Sequence, residues 1–311
     1  MEKIVTLTMN PALDVSTRIL SVAPEIKLRC ARPRFHPGGG GINVSRAIRF
    51  LGGESTAVFT AGGHTGTLLT RLLRDEGIGS SPIAIEGITR ESFAVYEEST
   101  GLQYRFNMPG PELSADEWIA CLERVFDLDP AYIVASGSLP QGVPIEFYGE
   151  VTRYARQYGI RVIVDTAGEA LSKAFGKGVY LMKPNLYELE LFSGEKVRDE
   201  AHIREVARRL IAEGLAEIMV VSMGAAGASL ITRDEYVHLR APIVKIQSKV
   251  GAGDSMVGGM AMGLAGGRPL LDAVRFGIAA GSAAVMTPGT ELCRREDAYR
   301  LYEQISVTSQ L

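Results

Sequence analysis

The chain has 311 residues, 46% of them hydrophobic and 22% charged, enough for a sizeable core in one large folded unit. Its 33 basic and 36 acidic side chains leave a net charge of −3, which offers no electrostatic reason to expect nucleic acid as a partner. No apolar run reaches the ~18 residues of a membrane helix. The opening MEKIVTLTMNP lacks the shape of a signal peptide. Three scattered cysteines suggest neither a disulfide framework nor a zinc site, so a cytoplasmic location is expected.

In chain order, KIVTLTMN predicts a buried strand closed by Asn10-Pro11. Residues 13–36 then alternate like strands exposed on one face. The apolar spacing of Ile42, Val44, Ala47, Ile48 and Leu51 predicts a helix ending at Gly52-Gly53. STAVFTAG is a strand and TGTLLTRLLRDEGI an amphipathic helix. A second strand-like excursion covers about 91–108. From residue 114 onward, helices at 114–128, 145–158, 186–193 and 200–213 alternate with the strands YIVASG, RVIVDTAG, VYLMKPN and EIMVVSMG. A short helix is expected before VYLMKPN, a hairpin at 227–240, and mostly helix thereafter.

This rhythm predicts an α/β fold: a mostly parallel, doubly wound sheet between two helical layers. Ligands in such folds sit beyond the carboxyl ends of the strands. Those ends carry Asn10, Gly137-Ser138, Asp165, Lys183 to Asn185 and Ser222 to Gly224. The two early excursions do not fit the alternation and are expected to form a small separate sheet, a lid.

Neither a Walker A loop nor a dinucleotide GxGxxG is present: Gly251-Ala252-Gly253 is followed by Met256 where the third glycine should stand. Other clusters carry the chemistry. In PGGGGINVSRA, glycines let a polar ligand reach the backbone and Asn43 can bond a sugar hydroxyl; a plain turn is the alternative. In KVGAGDSMVGG, the N–H groups of Gly251 to Gly253 can hold a transferring phosphoryl group, and Asp254 can be a general base. An N-cap aspartate is its ordinary role. In KPNLYELE, Asn185 and Glu188 can organise a hydrated Mg²⁺, or simply start a helix. Lys27, Arg29, Arg90 and Arg105 on the excursions can pair with phosphate or stand solvated. Asp14 can bind sugar hydroxyls or be a surface turn residue.

Together, GGGGINVSRAIRFLGG, SGSLPQGVP, VDTAGEAL, KPNLYELE, VVSMGAAGA and KVGAGDSMVGG resemble, in this order, the motifs of the ribokinase-like (PfkB) sugar kinases. The resemblance spans essentially the whole chain. It implies a three-layer α/β/α kinase domain over 1–311 with a β-sheet lid from about 13–36 and 91–108, which serves as the dimer interface in many members. Within the family the chain looks closest to the phosphosugar kinases of the minor 6-phosphofructokinase type. 1-Phosphofructokinases and tagatose-6-phosphate kinases carry GKGINV where Gly40 stands here.

The resemblance implies ATP-dependent phosphorylation of fructose 6-phosphate at its C1 hydroxyl, with Asp254 as base and Gly251, Ala252 and Gly253 as anion hole. Asp14, Gly39, Gly40 and Asn43 would bind the sugar, and Lys27, Arg90, Arg105 and Ser138 its 6-phosphate end. Lys183, Asn185, Ser222, Gly224 and Gly227 would contact ATP, with Ile278 and Ser282 near adenine and Glu188 helping to place Mg²⁺. A monovalent cation, K⁺, would sit at Ser248, Val250, Ala284, Thr287 and Gly289. Two residues depart from the family pattern: Lys249 where threonine is usual, and Glu291 where the closest relatives carry arginine. The rival activities are tagatose-6-phosphate kinase and 1-phosphofructokinase. A non-catalytic sugar-phosphate sensor would need no base such as Asp254, and the absent GxGxxG disfavours a nicotinamide oxidoreductase.

Overall fold

The computed structural model describes residues 1–166, 168 and 178–310. The expected short helix before VYLMKPN, and Ala167 and Glu169 to Leu171 of VDTAGEAL, lie outside the described residues. Strands β1 (Ile4–Thr8), β4 (Thr56–Ala61), β5 (Gly79–Ala84), β8 (Tyr132–Ser136), β9 (Arg161–Asp165), β10 (Val179–Met182) and β11 (Ala216–Ser222) form a parallel sheet. Three antiparallel strands extend it: β12 (Ala228–Ile231), β13 (Tyr236–Arg240) and β14 (Ser306–Gln310). The full order is β14-β13-β12-β11-β10-β9-β8-β1-β4-β5.

The central strands are continuous apolar runs because both faces are covered. Ile4, Tyr132, Val134, Ile163 and Leu181 point into one core, against α1 (Gly40–Phe50), α7 (Ala252–Ala265), α8 (Leu270–Ala284) and α9 (Arg295–Tyr302). Their neighbours Val5, Ile133, Val162, Val164 and Met182 point into the other. That core is closed by α3 (Ala115–Asp127), α4 (Phe147–Gln157), α5 (Leu186–Ser193) and α6 (Glu200–Ala212). A period of two across a double-faced sheet needs exactly such unbroken hydrophobicity. Local chemistry sets several helix starts: Ser114 with Glu117, and Asn185 with Glu188, form reciprocal capping boxes, and Asp199 caps α6.

A separate four-stranded sheet has the order β3-β2-β6-β7, from β2 (Ala12–Ile19), β3 (Arg34–Gly38), β6 (Arg90–Glu97) and β7 (Gln103–Asn107). Helix α2 (Gly63–Asp75) follows β4 and meets β2 and β3. The two excursions thus pair as expected, but less of the first is strand: residues 20–33 connect β2 to β3. The expectation of helix after the 227–240 hairpin misses β14. Its SVTSQ has little apolar pattern because it is an edge strand held by backbone pairing to β13. Strand β5, GSSPIA, is overlooked for the same reason at the other edge.

Helices α7 and α8 pack tightly through glycine. A Cβ on Gly259 would stand 2.9 Å from Gly277 Cα and 3.0 Å from both Ala280 Cβ and Phe276 O. Gly259→Val is therefore expected to lower stability by about 2 kcal/mol or more through overpacking. Urea denaturation would show this as a lower midpoint; an unchanged midpoint would contradict the close packing.

Candidate active site

The strand order reverses between β1 and β8: the chain builds β4 and β5 on one side of β1, then crosses to build β8 to β11 on the other. Such a switch point opens a crevice at the carboxyl ends of the strands. Asn10, just after β1, and Ser138, just after β8, bridge it: Asn10 Nδ2 donates to Ser138 Oγ at 3.2 Å. The Gly137 turn beneath Ser138 is pinned by Tyr148 OH and Thr166 Oγ1, which both donate to its carbonyl, at 2.9 and 2.8 Å.

The two glycine clusters converge on this crevice as helix starts. Gly39 precedes α1 with φ 114°, and Gly251 precedes α7 with φ 74°, both in the region that favours glycine. A Cβ on Gly40 would collide with Ser136 Oγ and the Gly137 backbone, so the first cluster presses against the end of β8. Asp254 lies in the first turn of α7, and no side chain caps that helix. The N-cap alternative for Asp254 is therefore excluded: the cap is Gly251. Instead, Asp254 Oδ2 accepts from Asn43 Nδ2 at 2.9 Å, joining the first turns of α1 and α7 across 211 residues of sequence.

Lys183, at the end of β10, is almost buried and pairs with Asp165, at the end of β9, at 3.1 Å. Its ammonium lies 3.6 Å from where a Gly253 Cβ would be, beside the α7 turn. Burial works against the Lys183 charge, but Asp165 outweighs it and the pKa stands above the usual lysine value. Asp254 shows the opposite balance. Burial, then repulsion from Asp165, outweighs the Asn43 hydrogen bond and Lys183, and pushes its pKa up to about 7. Asp14 is pushed up to about 6 by burial, against the charges of Arg46, Arg105 and Arg90. A Cβ on Gly38 would run into the Asp14 carboxylate, which places Asp14 against the first glycine cluster.

Arg90 opens β6 and donates to the carbonyls of Met108 and Asn10 at 3.1 and 3.0 Å. Its Nε and the Asn10 Oδ1 are buried without a hydrogen-bond partner. Arg105 and Lys27 are exposed, Arg105 on β7 near enough to act on Asp14 and Lys27 on the β2–β3 connection, where no ion pair ties it to the site among the described residues.

Asn185 and Glu188 cap α5 reciprocally, each side chain accepting the other's N–H at 2.9 Å. The ordinary helix-start role is thus real; it takes the one side-chain oxygen of Asn185 and leaves Glu188 its Oε1. Backbone pairing of Asn185 with Ser222 joins this cap to the 222–227 turn, where Gly224 (φ 57°) and Gly227 (φ 100°) allow the sharp path. Ile278 is buried in the main core, and Ser282 lies half-buried one turn later; the intervening Gly281 would carry its Cβ 3.1 Å from Ala252 O. Lys249 is exposed.

The segment before α7 meets the turn after α8: Ser248 Oγ donates to Gly289 O at 2.7 Å, and within that turn Thr287 Oγ1 donates to Ala284 O at 2.8 Å. Val250 N donates to Ser248 Oγ at 3.2 Å, and Thr290 Oγ1 is buried without a partner. Glu291 turns its carboxylate to Arg34 on β3 (3.4 Å) and to Arg294 (3.6 Å). Sequence reasoning marks Asn10 and Asp165 only as polar strand ends and gives Arg46 no role. The partner of Asn10, Ser138, lies 128 residues away, those of Asp165 and Arg46 lie on other elements, and only an arginine in an apolar helix face hints at the last of these pairings.

These features define a kinase of the carbohydrate class. The family profile of the pfkB family carbohydrate kinases matches residues 4–297, and the chain belongs to that family. It is 44% identical over 308 residues to the ATP-dependent 6-phosphofructokinase isozyme 2 of Escherichia coli, covering 98% of this chain and 100% of that one. It is 45% identical over 303 residues to the isozyme 2 of Mycobacterium tuberculosis, covering 97% and 89%. The structure of the E. coli phosphofructokinase-2 in complex with substrates and products superposes with a TM-score of 0.93 at 43% identity, covering 97% of this chain and 99% of that one.

Because Asp254 has a raised pKa, the native state binds its proton between about pH 4 and 7 while the unfolded chain does not, so this group makes the protein less stable as pH rises through that window. Asp254→Asn is expected to raise the melting temperature at pH 8 and to bring much less gain near pH 4, where the native aspartate is protonated and the unfolded one is only about half ionised. A gain that is equal at both pH values would show that the carboxylate is not held in a desolvated, repulsive setting.

Proposed function

We propose that this protein is an ATP-dependent 6-phosphofructokinase that converts fructose 6-phosphate to fructose 1,6-bisphosphate. The observation that carries this reading is the placement of Asp254 between a sugar-side amide, Asn43, and the Gly251 to Gly253 turn that heads α7. The near-full-length identity to two isozyme 2 enzymes supports it.

The C1 hydroxyl of the sugar gives its proton to Asp254, and the resulting oxygen attacks the γ-phosphorus in line as ADP leaves. A base with a pKa near the working pH suits this task. The N–H groups of Gly251, Ala252 and Gly253, with the dipole of α7, hold the charge on the transferring phosphoryl group. Lys183, charged through its pairing with Asp165, adds positive charge beside that turn. Asp14, Gly39, Gly40 and Asn43 hold the sugar hydroxyls. Arg90, Arg105, Lys27 and Ser138 hold the 6-phosphate; Arg90 is the member already tied to the crevice wall, through the Met108 and Asn10 carbonyls. Asn185, Ser222, Gly224 and Gly227 line the nucleotide side, with Ile278 and Ser282 behind the adenine.

The oxygen of Glu188 not used in its capping box fits a hydrated Mg²⁺, which supplies charge neutralisation on the nucleotide phosphates. The backbone carbonyls of Ser248 and Val250 before α7, and of Ala284, Thr287 and Gly289 at the end of α8, would hold a K⁺ ion, which would steady the anion hole. Glu291 does not obstruct it, because its carboxylate is engaged by Arg34 and Arg294. The small sheet acts as a lid over the crevice in one kinase domain. Its exposed Leu20, Phe35, Tyr96, Leu102 and Phe106 suit a homodimer formed through that lid. No described helix is long and apolar enough to cross a membrane.

Turnover is expected to fall as pH drops below about 7, because Asp254 then gains a proton and can no longer accept one. Asp254→Asn should cut kcat by about a thousandfold while ATP binding persists; activity within tenfold of wild type would remove the base assignment. Arg90→Ala should raise KM for the phosphosugar far more than KM for ATP, and equal effects on both would count against a phosphate clamp. A coupled ADP-release assay across fructose 6-phosphate, tagatose 6-phosphate, fructose 1-phosphate and free fructose tests the substrate. Fructose 6-phosphate should give the highest kcat/KM, and preference for another sugar would reassign the activity.

A further inference from the structure

Arg46 follows Asn43 by three residues on α1, one turn along the same face. It is 2% exposed, unusual for a charged side chain. Its Nε and Nη2 grip Glu76 at 2.7 and 2.8 Å, a two-pronged pair at the C-cap of α2. The remaining arm, Nη1, points towards the site: it donates to the Pro37 carbonyl at 3.2 Å and to Asn43 Oδ1 at 3.5 Å.

That last contact has a directional consequence. A carboxamide offers an acceptor at one end and a donor at the other, and guanidinium only donates. With Arg46 at Oδ1, the Asn43 NH₂ must face Asp254, to which it donates at 2.9 Å. The flipped amide would set NH₂ against guanidinium and oxygen against carboxylate, two repulsions. We propose that Arg46, anchored by Glu76, is a positioning residue for the base: it locks the Asn43 amide in the orientation that donates to Asp254, and it holds the Pro37–Gly38 turn that carries the sugar-binding glycines.

This rests on the reading of Asp254 as the base. Four side chains act on Asp254 from the surrounding elements: Asn43 on α1, Asp165 after β9, Lys183 after β10 and Asp14 on β2. Of these only Asn43 depends on Arg46 for its orientation through a direct contact. Glu76 is partly open to solvent, its side chain 24% exposed, so it can be altered without emptying the core.

The test is a double-mutant cycle between Arg46 and Asn43, read by kinetics rather than by stability. Arg46→Lys keeps a cation but lacks the planar fork needed to hold Glu76 and reach Asn43 together. It should lower kcat about tenfold with KM for ATP changed less than about twofold. It should also move the acid limb of kcat/KM to higher pH, because an unlocked amide no longer favours the ionised Asp254. In an Asn43→Ala background, Arg46→Lys should change kcat and the acid limb little, since the two residues act as one unit. Glu76→Gln should shift the limb in the same direction, and it replaces Arg46→Lys in the cycle if that variant does not fold. Multiplicative losses, or an acid limb that stays in place while only the melting temperature falls, overturn the inference. If Asp254→Asn is inactive in either case, the reading of the base stands on its own; if it is active, that reading is what fails.

Discussion

A carboxylate placed where it is least comfortable organises this structure. Asp254 sits half-buried in the first turn of α7, where desolvation and Asp165 work against its charge, and Asn43, which donates to it, and Lys183 work in favour. Each of those supports has its own support. Lys183 keeps its proton through Asp165, and Asn43 has its amide oxygen turned to Arg46, which is held by Glu76. For the base proposed above, that balance matters: a fully stabilised carboxylate would be a poor base, and an unsupported one would be protonated.

The sheet makes this arrangement possible at little cost. Strand ends from β1, β8, β9 and β10 deliver Asn10, Ser138, Asp165 and Lys183 to one edge because parallel strands all terminate on the same side. Two helix starts, α1 and α7, then bring their glycines to that edge. The glycines serve different ends. Gly40 and Gly41 have no room for a side chain against β8 and β1, whereas Gly253 is open towards Lys183, the side from which a phosphoryl group would approach. The small sheet carries Arg90 and Arg105, and the Glu291–Arg34 pair ties β3 to the turn after α8 on the far side. As an exposed pair at 3.4 Å it contributes little stability by itself.

Much of the fold was legible before any coordinates because its central strands have only one way to be satisfied. Runs such as YIVAS must be covered on both faces, and helices between them supply the cover. The edges were not legible: β5 and β14 are held by backbone hydrogen bonds, which leave almost no mark on side-chain identity. The Asn185–Glu188 spacing was open to two meanings, a metal-side pair or a helix cap. The capping box takes up the only side-chain oxygen of Asn185 but leaves Glu188 its Oε1, so for Glu188 one meaning does not exclude the other.

The sequence by itself determined the class of fold, the glycine turns and the acid beside them, because periodicity and residue type are local properties written in consecutive positions. Tertiary structure alone decided how that acid is controlled. The Asn43–Asp254 bond closes over 211 residues, and the Asp165–Lys183 and Arg46–Glu76 pairs join different elements. Burial and mutual distance, not residue identity, set the charge of each group, and both come into being only when the chain has folded.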